Sequence, residues 1–187
     1  MKNPTINILL TISFLLITTT AAATPWFENL CICKKNTTKL HFYVHDVRSG
    51  PNATLYNVAN SSITATSPTG FGRINVFDDK VTAEPDIASE EVARAQGSTT
   101  SVDLQVSAAS MNLNFFLKAG KFNGSTVTVV GRNQFSDAER ELPVVGGNGA
   151  FRYARGYAIT RSYSNDAATN YGVLEYTIYI RTSRKCS

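Results

Sequence analysis

The chain has 187 residues, 43% of them hydrophobic and 17% charged, with 18 Lys and Arg against 14 Asp and Glu. The length suits one domain. The small positive excess is scattered, apart from Arg181, Arg184 and Lys185. It therefore lacks the basic stripe of a nucleic-acid binder and leaves room only for a loose affinity toward acidic polymers.

Lys2 and the apolar run Ile6–Ile17 precede Ala21-Ala22-Ala23, which predicts a secretory signal peptide over residues 1–23. The run is too short for ~30 Å of hydrocarbon, and no later segment is long and apolar enough to span a membrane. Residues 24–187 are expected to form one soluble, secreted domain. In an oxidising compartment Cys186 is expected to bridge to Cys33, with Cys31 as the alternative partner, tying the start of the mature chain to its end. Asn36, Asn52, Asn60 and Asn123 head N-x-S/T sequons, and any that carries a glycan must lie on the surface.

From Leu40 onward almost every segment alternates with period two, the pattern of strands. In "LHFYVHDV" one face carries His41, Tyr43 and His45, and the other carries Phe42, Val44 and Asp46. A carboxylate on the apolar face either ends the strand in water or enters the interior, where charge is costly. Ser49–Thr69, rich in Ser, Thr, Asn, Gly and Pro, is expected to be the least ordered part of the mature chain. Phe71–Phe77 reads as a strand, and Asp78-Asp79 at its end reads as a turn initiator in preference to a site role. Ser89–Gln96 has some helical character but equally suits a strand entry. Met111, Leu113, Phe115 and Leu117 oppose Asn112, Asn114, Phe116 and Lys118. Ser125–Val130, Glu139–Val145 and Tyr153–Ser162 are further strands, punctuated by Asn123-Gly124 and Gly146-Gly147-Asn148-Gly149. Leu174, Tyr176, Ile178 and Ile180 share the face of a last strand. On the strand Glu139–Val145, Arg140 shares a face with Leu142 and Val144, as Asp46 does with Phe42 and Val44. About eight strands with hairpin-length turns predict an all-β fold, and an eight-stranded antiparallel β-barrel closes its own edges while holding a small ligand in an internal pocket.

Several chemistries lack support. His41 and His45 stand about 13 Å apart along one strand. They cannot share a zinc ion at ~2.1 Å Zn–N distances, so both are expected on the outer face or at an edge. There is no G-x-S-x-G elbow, G-x-G-x-x-G, P-loop or EF-hand loop. No metal or other cofactor is expected. What remains are carboxylates and arginines on strands.

The motifs "FYVHDV", "INVFDD", "VARAQG", "GRN…ERELPVVGGNGAFRYARGYA" and "VLEYTIYI", in this order and spacing from Lys39 to Ile180, resemble the plant dirigent family, and its dirigent-like branch in particular. The resemblance implies a secreted barrel of the apoplast or cell wall, assembled as a homodimer or homotrimer. It also implies a small phenolic substrate and a separate oxidase, laccase or peroxidase, as the source of radicals. The barrel would hold phenoxy-radical or quinone-methide intermediates and steer their coupling to one stereoisomer, as in lignan formation.

Carried over by position, the resemblance assigns catalytic roles to Asp46 and Arg140. Burial would raise the Asp46 pKa and a nearby Arg140 would lower it. The family's second pocket acid is Asn133 here, and Asp137 replaces it only if its loop folds back. The pocket tyrosine after "RAQG" is absent, leaving Ser98, Thr99 and Ser101. An alternative activity within the family is ring closure by dehydration, as in pterocarpan synthases. A third reading is a non-catalytic cell-wall or lignin-patterning component, with Tyr153, Tyr157 and Tyr179 as outer-face candidates for glycan contact.

Overall fold

The structure is a computed structural model that describes residues 32–185, with side chains described over 37–182. The predicted signal peptide, Cys31 and Cys186 lie outside the described residues, as do the side chains of Cys33 and Asn36. The expected disulfide therefore falls outside this description.

Nine strands follow in chain order: β1 (Ile32–Val47), β2 (Leu55–Ala59), β3 (Ile74–Thr82), β4 (Glu91–Ser101), β5 (Ala108–Leu117), β6 (Thr126–Gln134), β7 (Arg140–Gly147), β8 (Arg155–Asp166) and β9 (Tyr171–Lys185). All pairings are antiparallel, in the order β1-β9-β8-β7-β6-β5-β4-β3-β2. β1 also meets β3 through Tyr43–Thr82, Val44–Val81 and His45–Lys80, which closes eight strands into a barrel. The short β2 lies along the rest of the same β3 edge, from Leu55–Phe77 to Ala59–Ile74. The barrel is the predicted one. No helix among the described residues is long and apolar enough to cross a membrane.

The alternation read from the sequence fills the interior. Phe42 and Val44 of β1, Leu113 and Phe115 of β5, and Tyr176, Ile178 and Ile180 of β9 are buried in one core with Val127, Val129, Leu142 and Val144. Phe42, Phe115 and Tyr176 pack ring against ring, with Phe115 4.8 Å from Phe42 and 5.2 Å from Tyr176 between centroids. This cluster closes one half of the barrel.

The other half opens at two seams. Pairing of β1 with β3 stops at His45–Lys80, and pairing of β6 with β7 stops at Val129–Val144. Beyond those points Asp46, Asp79, Asn133 and Arg140 all lie at the same end of the barrel. The ladder hydrogen bonds end there, and the strands splay into a cavity.

Two expectations are corrected, and one that was left open is decided. Ser49–Thr69 is not uniformly irregular: it contains β2, and Thr64 is buried, donating its hydroxyl to the Phe71 carbonyl at 2.7 Å. Ser89–Gln96 is no helix but leads into β4, paired on both sides by β3 and β5. Asp78 and Asp79 do not initiate a turn. They sit inside β3, where Asp78 pairs with Gln96 and Asp79 with Ala95.

The glycine of "VARAQG" has a packing reason. A Cβ at Gly97 would stand 1.9 Å from the Asn112 carbonyl oxygen on β5, so β4 and β5 could not keep their spacing. Gly97→Ala is expected to destabilise the barrel by about 1–3 kcal/mol, the usual range for overpacking. The urea midpoint measures this, and an unchanged midpoint contradicts the tight β4–β5 approach.

Candidate functional site

The open half of the barrel holds a cavity of about 990 Å³. Its deeper lining is apolar and buried: Val44, Phe77, Ala95, Met111, Leu113 and Tyr176. Its outer lining is polar and exposed, with Arg48, Asn57, Asn60, Arg73 and Asn165. Between them lie Asp46, Asp79, Asn133 and Arg140.

The two aspartates share one wall. Extending the β1–β3 register by one step beyond His45–Lys80 sets Asp46 opposite Asp79. Asp79 is 5% exposed and accepts a hydrogen bond from Thr54 Oγ1 at 2.5 Å. Burial, with the Asp46 charge adding to it, pushes the Asp79 carboxyl up to about 7. Burial also raises Asp46, against the pull of the Arg48 guanidinium 3.6 Å away. One wall thus carries a carboxyl that keeps its proton in mildly acidic solution, beside a second carboxyl. Tyr176, fully buried, is pushed up to about 12 by its burial and keeps its hydroxyl proton.

Arg140 stands across the cavity. β7 is four strands from β3 in either direction around the ring of eight. The guanidinium is 6% exposed, donates to Ser162 Oγ at 3.1 Å, and meets no carboxylate within 4 Å among the described residues. The expected closeness of Asp46 and Arg140 is therefore not found: the acid's cationic neighbour is Arg48. Asn133 of β6 is buried, with its Nδ2 donating to Met111 Sδ at 2.9 Å.

Among the described residues, three buried polar atoms of this lining have no hydrogen-bond partner: Asp46 Oδ1, Asn133 Oδ1 and Arg140 Nε. Such atoms are costly unless something else satisfies them. They flank the apolar chamber, Asp46 from β1 and Asn133 and Arg140 from the neighbouring strands β6 and β7. The arrangement suits a flat apolar molecule that carries oxygen functions at more than one edge.

The predicted site residues divide accordingly. Asp46, Arg140, Asn133 and Thr99 line the cavity, whereas Ser98 and Asp137 do not. Ser98 neighbours Thr99 on β4, so its side chain takes the other face of the strand. Asp137 is exposed in the β6–β7 turn and accepts from Gln134 Nε2 at 2.8 Å. Asp79 was missed. Its signal was present, because Phe77, Asp79 and Val81 alternate onto the buried face as Phe42, Val44 and Asp46 do.

His41 and His45 take the outward side of β1, away from the cavity. His45 is nonetheless buried, bonded through Nδ1 to Tyr171 Oη at 2.5 Å and through Nε2 to Thr82 Oγ1 at 2.6 Å. The Thr82 hydroxyl donates to the Glu84 carbonyl, so it accepts from His45, which places the imidazole proton on Nε2. Of the sequons, Asn52, Asn60 and Asn123 are exposed, and Asn60 borders the cavity with its Nδ2 donating to Asn57 Oδ1 at 2.7 Å.

The family model described as Dirigent-like protein matches residues 37–181. The chain is 46% identical to Dirigent protein 21 of Arabidopsis thaliana over 143 residues, 76% of each chain. It is 35% identical to Pterocarpan synthase 1 of Glycyrrhiza echinata over 185 residues, 96% of this chain and 97% of the relative. The solved structure of a pterocarpan synthase dirigent protein superposes with a TM-score of 0.75 at 37% identity, covering 81% of this chain and 93% of that one. The family match runs through the strands that carry Asp46, Asp79, Asn133 and Arg140, and with these identities over most of the chain it shows that the chain belongs to the dirigent family.

Proposed function

We propose that this protein is a secreted stereodirecting protein, binding phenoxy-radical or quinone-methide intermediates made by a separate laccase or peroxidase. The observation that carries this reading is the apolar cavity flanked by buried Asp46 Oδ1, Asn133 Oδ1 and Arg140 Nε, partnerless among the described residues. Radical generation lies with the oxidase. The barrel's task is to hold two faces of the intermediate unequally, and ~1.4 kcal/mol of differential stabilisation already gives tenfold selectivity.

The site can also assist the step after coupling. A quinone methide becomes a better electrophile when its carbonyl oxygen gains a proton. The Asp79 carboxyl can donate it, and an internal hydroxyl that attacks the methide carbon can return its proton to the paired carboxylate, so protons balance. Arg140, on the opposite wall, holds a second oxygen of the intermediate, or, where Asp79 instead protonates a leaving hydroxyl, the phenolate oxygen at the ring's other end. Glycosylation at exposed sequons, a disulfide at the chain ends and a homodimeric or homotrimeric assembly complete the proposal for an apoplastic protein.

A second reading is favoured by one observation, the carboxyl of Asp79 held at about 7. An acid of that kind suits protonation of a leaving hydroxyl, hence ring closure with loss of water, the kind of reaction a pterocarpan synthase performs. Chiral chromatography separates the two. Purified protein with coniferyl alcohol and laccase is expected to give enantiomeric excess over oxidase alone. A racemic product, with turnover of an isoflavanol in the absence of oxidase, transfers the assignment to the dehydratase reading. A racemic product with no such turnover overturns both.

A further inference from the structure

The chemistry above uses the depth of the cavity and leaves its entrance unexplained. Arg73 lies on the segment entering β3, exposed and lining the cavity. Among the described residues its guanidinium forms no ion pair, whereas Arg48 on the same rim lies 3.6 Å from Asp46 and bonds the Asn165 side chain and the Asn170 carbonyl. Beside Arg73 the wall is fixed: Asn57 Nδ2 donates to the Ile74 carbonyl at 2.9 Å and to Asn75 Oδ1 at 3.3 Å. The guanidinium lies over Gly70, in van der Waals reach of that glycine's Cβ position, and carries its charge at the rim of a braced surface.

The charges of the whole lining point the same way. Three arginines, at 48, 73 and 140, face two aspartates, at 46 and 79. With the Asp79 carboxyl pushed up to about 7, the cavity holds three positive charges against one negative in mildly acidic solution. Low-dielectric walls focus such an excess on anything entering the mouth. A neutral phenylpropenyl alcohol has no use for it. A phenol with a carboxylate at its far end satisfies Arg73 while the ring occupies the apolar depth, and a planar guanidinium suits a carboxylate's two oxygens.

Resting on the phenolic reading above, we propose that the cavity selects phenols bearing a carboxylate, with Arg73 as the residue that binds it. Ferulate and coniferyl alcohol test this, because they share the same ring and differ in carboxylate against hydroxymethyl. Calorimetric titration at pH 6, without oxidase, is expected to show ferulate binding at least about fivefold tighter than the alcohol. Arg73→Gln is expected to erase that preference and leave the alcohol's affinity unchanged, while Arg73→Lys restores part of it.

Equal affinities in the unmodified protein overturn the inference and leave the phenolic reading standing. So does an equal weakening of both ligands by Arg73→Gln, which would make the residue a support of the mouth. If neither compound binds to folded protein, the phenolic reading itself fails and the inference falls with it.

Discussion

Asp79→Asn is expected to remove function while stabilising the fold. The variant cannot donate a carboxyl proton to the coupled quinone methide, so the ring closure that follows coupling should slow toward the oxidase-alone background. Should the protein act as a dehydratase, its rate should drop about 10²–10⁴-fold, the usual worth of a general acid. The stability effect follows from linkage. The Asp79 carboxyl stands at about 7 in the folded barrel against an ordinary 3.8. In that interval the folded state holds a proton that the unfolded state has released. Stability tied to this group is therefore fully present below pH 4 and lost as pH rises to about 7. The loss can reach on the order of 4 kcal/mol. Asn carries no charge at any pH, and its amide oxygen can still accept from Thr54. The urea midpoint of the natural protein should fall between pH 5 and pH 8, and that of the variant should fall less. A variant that closes the ring as fast as the natural protein, or one that is less stable than the natural protein at pH 8, contradicts this role.

Arg140→Met should show the same opposition of function and stability. The guanidinium is buried with one hydrogen bond, to Ser162, and an unpartnered Nε. Replacing a buried ionic group by an apolar one of similar length is often neutral or stabilising by about 1–4 kcal/mol. Thermal midpoint is therefore expected to hold or rise. Removing the cation that orients the intermediate's second oxygen is expected to lower product handedness and, for dehydration, where phenolate charge develops at that end, to cost about 10²–10³-fold in rate. If instead the variant melts many degrees lower, Arg140 is a brace of the barrel mouth.

These two residues show how much of the site was legible. Arg140 and Asp46 stood out because each interrupts an apolar face of an alternating strand, and the structure sets both in the cavity. Asp79 obeys the same rule, but the doublet Asp78-Asp79 imitates a turn, and the turn reading ended β3 too early. Thr99 and Ser98 are adjacent, and a shift of one residue exchanges the faces of a strand. Only the register with β3 and β5 settles that Thr99 faces inward.

The barrel itself was readable because period-two burial runs through β1, β5 and β9. The two splayed seams were not. Where β1 leaves β3, and β6 leaves β7, is decided by closure between strands far apart in sequence, which no local pattern records. The same holds for the pairing of Asp46 with Asp79 and for the separation of Asp79 from Arg140 by half the ring. β2 was hidden because Leu55–Ala59 is short and embedded in Ser, Thr and Asn, and it is ordered by the β3 edge rather than by its own propensity.

The central claim is that a cavity-facing carboxyl keeps its proton in mildly acidic solution, where it can act on a bound phenolic intermediate. A carbon-13 carboxyl NMR titration tests this most directly, with Asp79→Asn used to assign the resonance. The account predicts that the Asp79 signal titrates with a midpoint near 7. A midpoint near the ordinary 3.8 would leave the carboxyl ionised throughout and remove the proton donor on which the account depends.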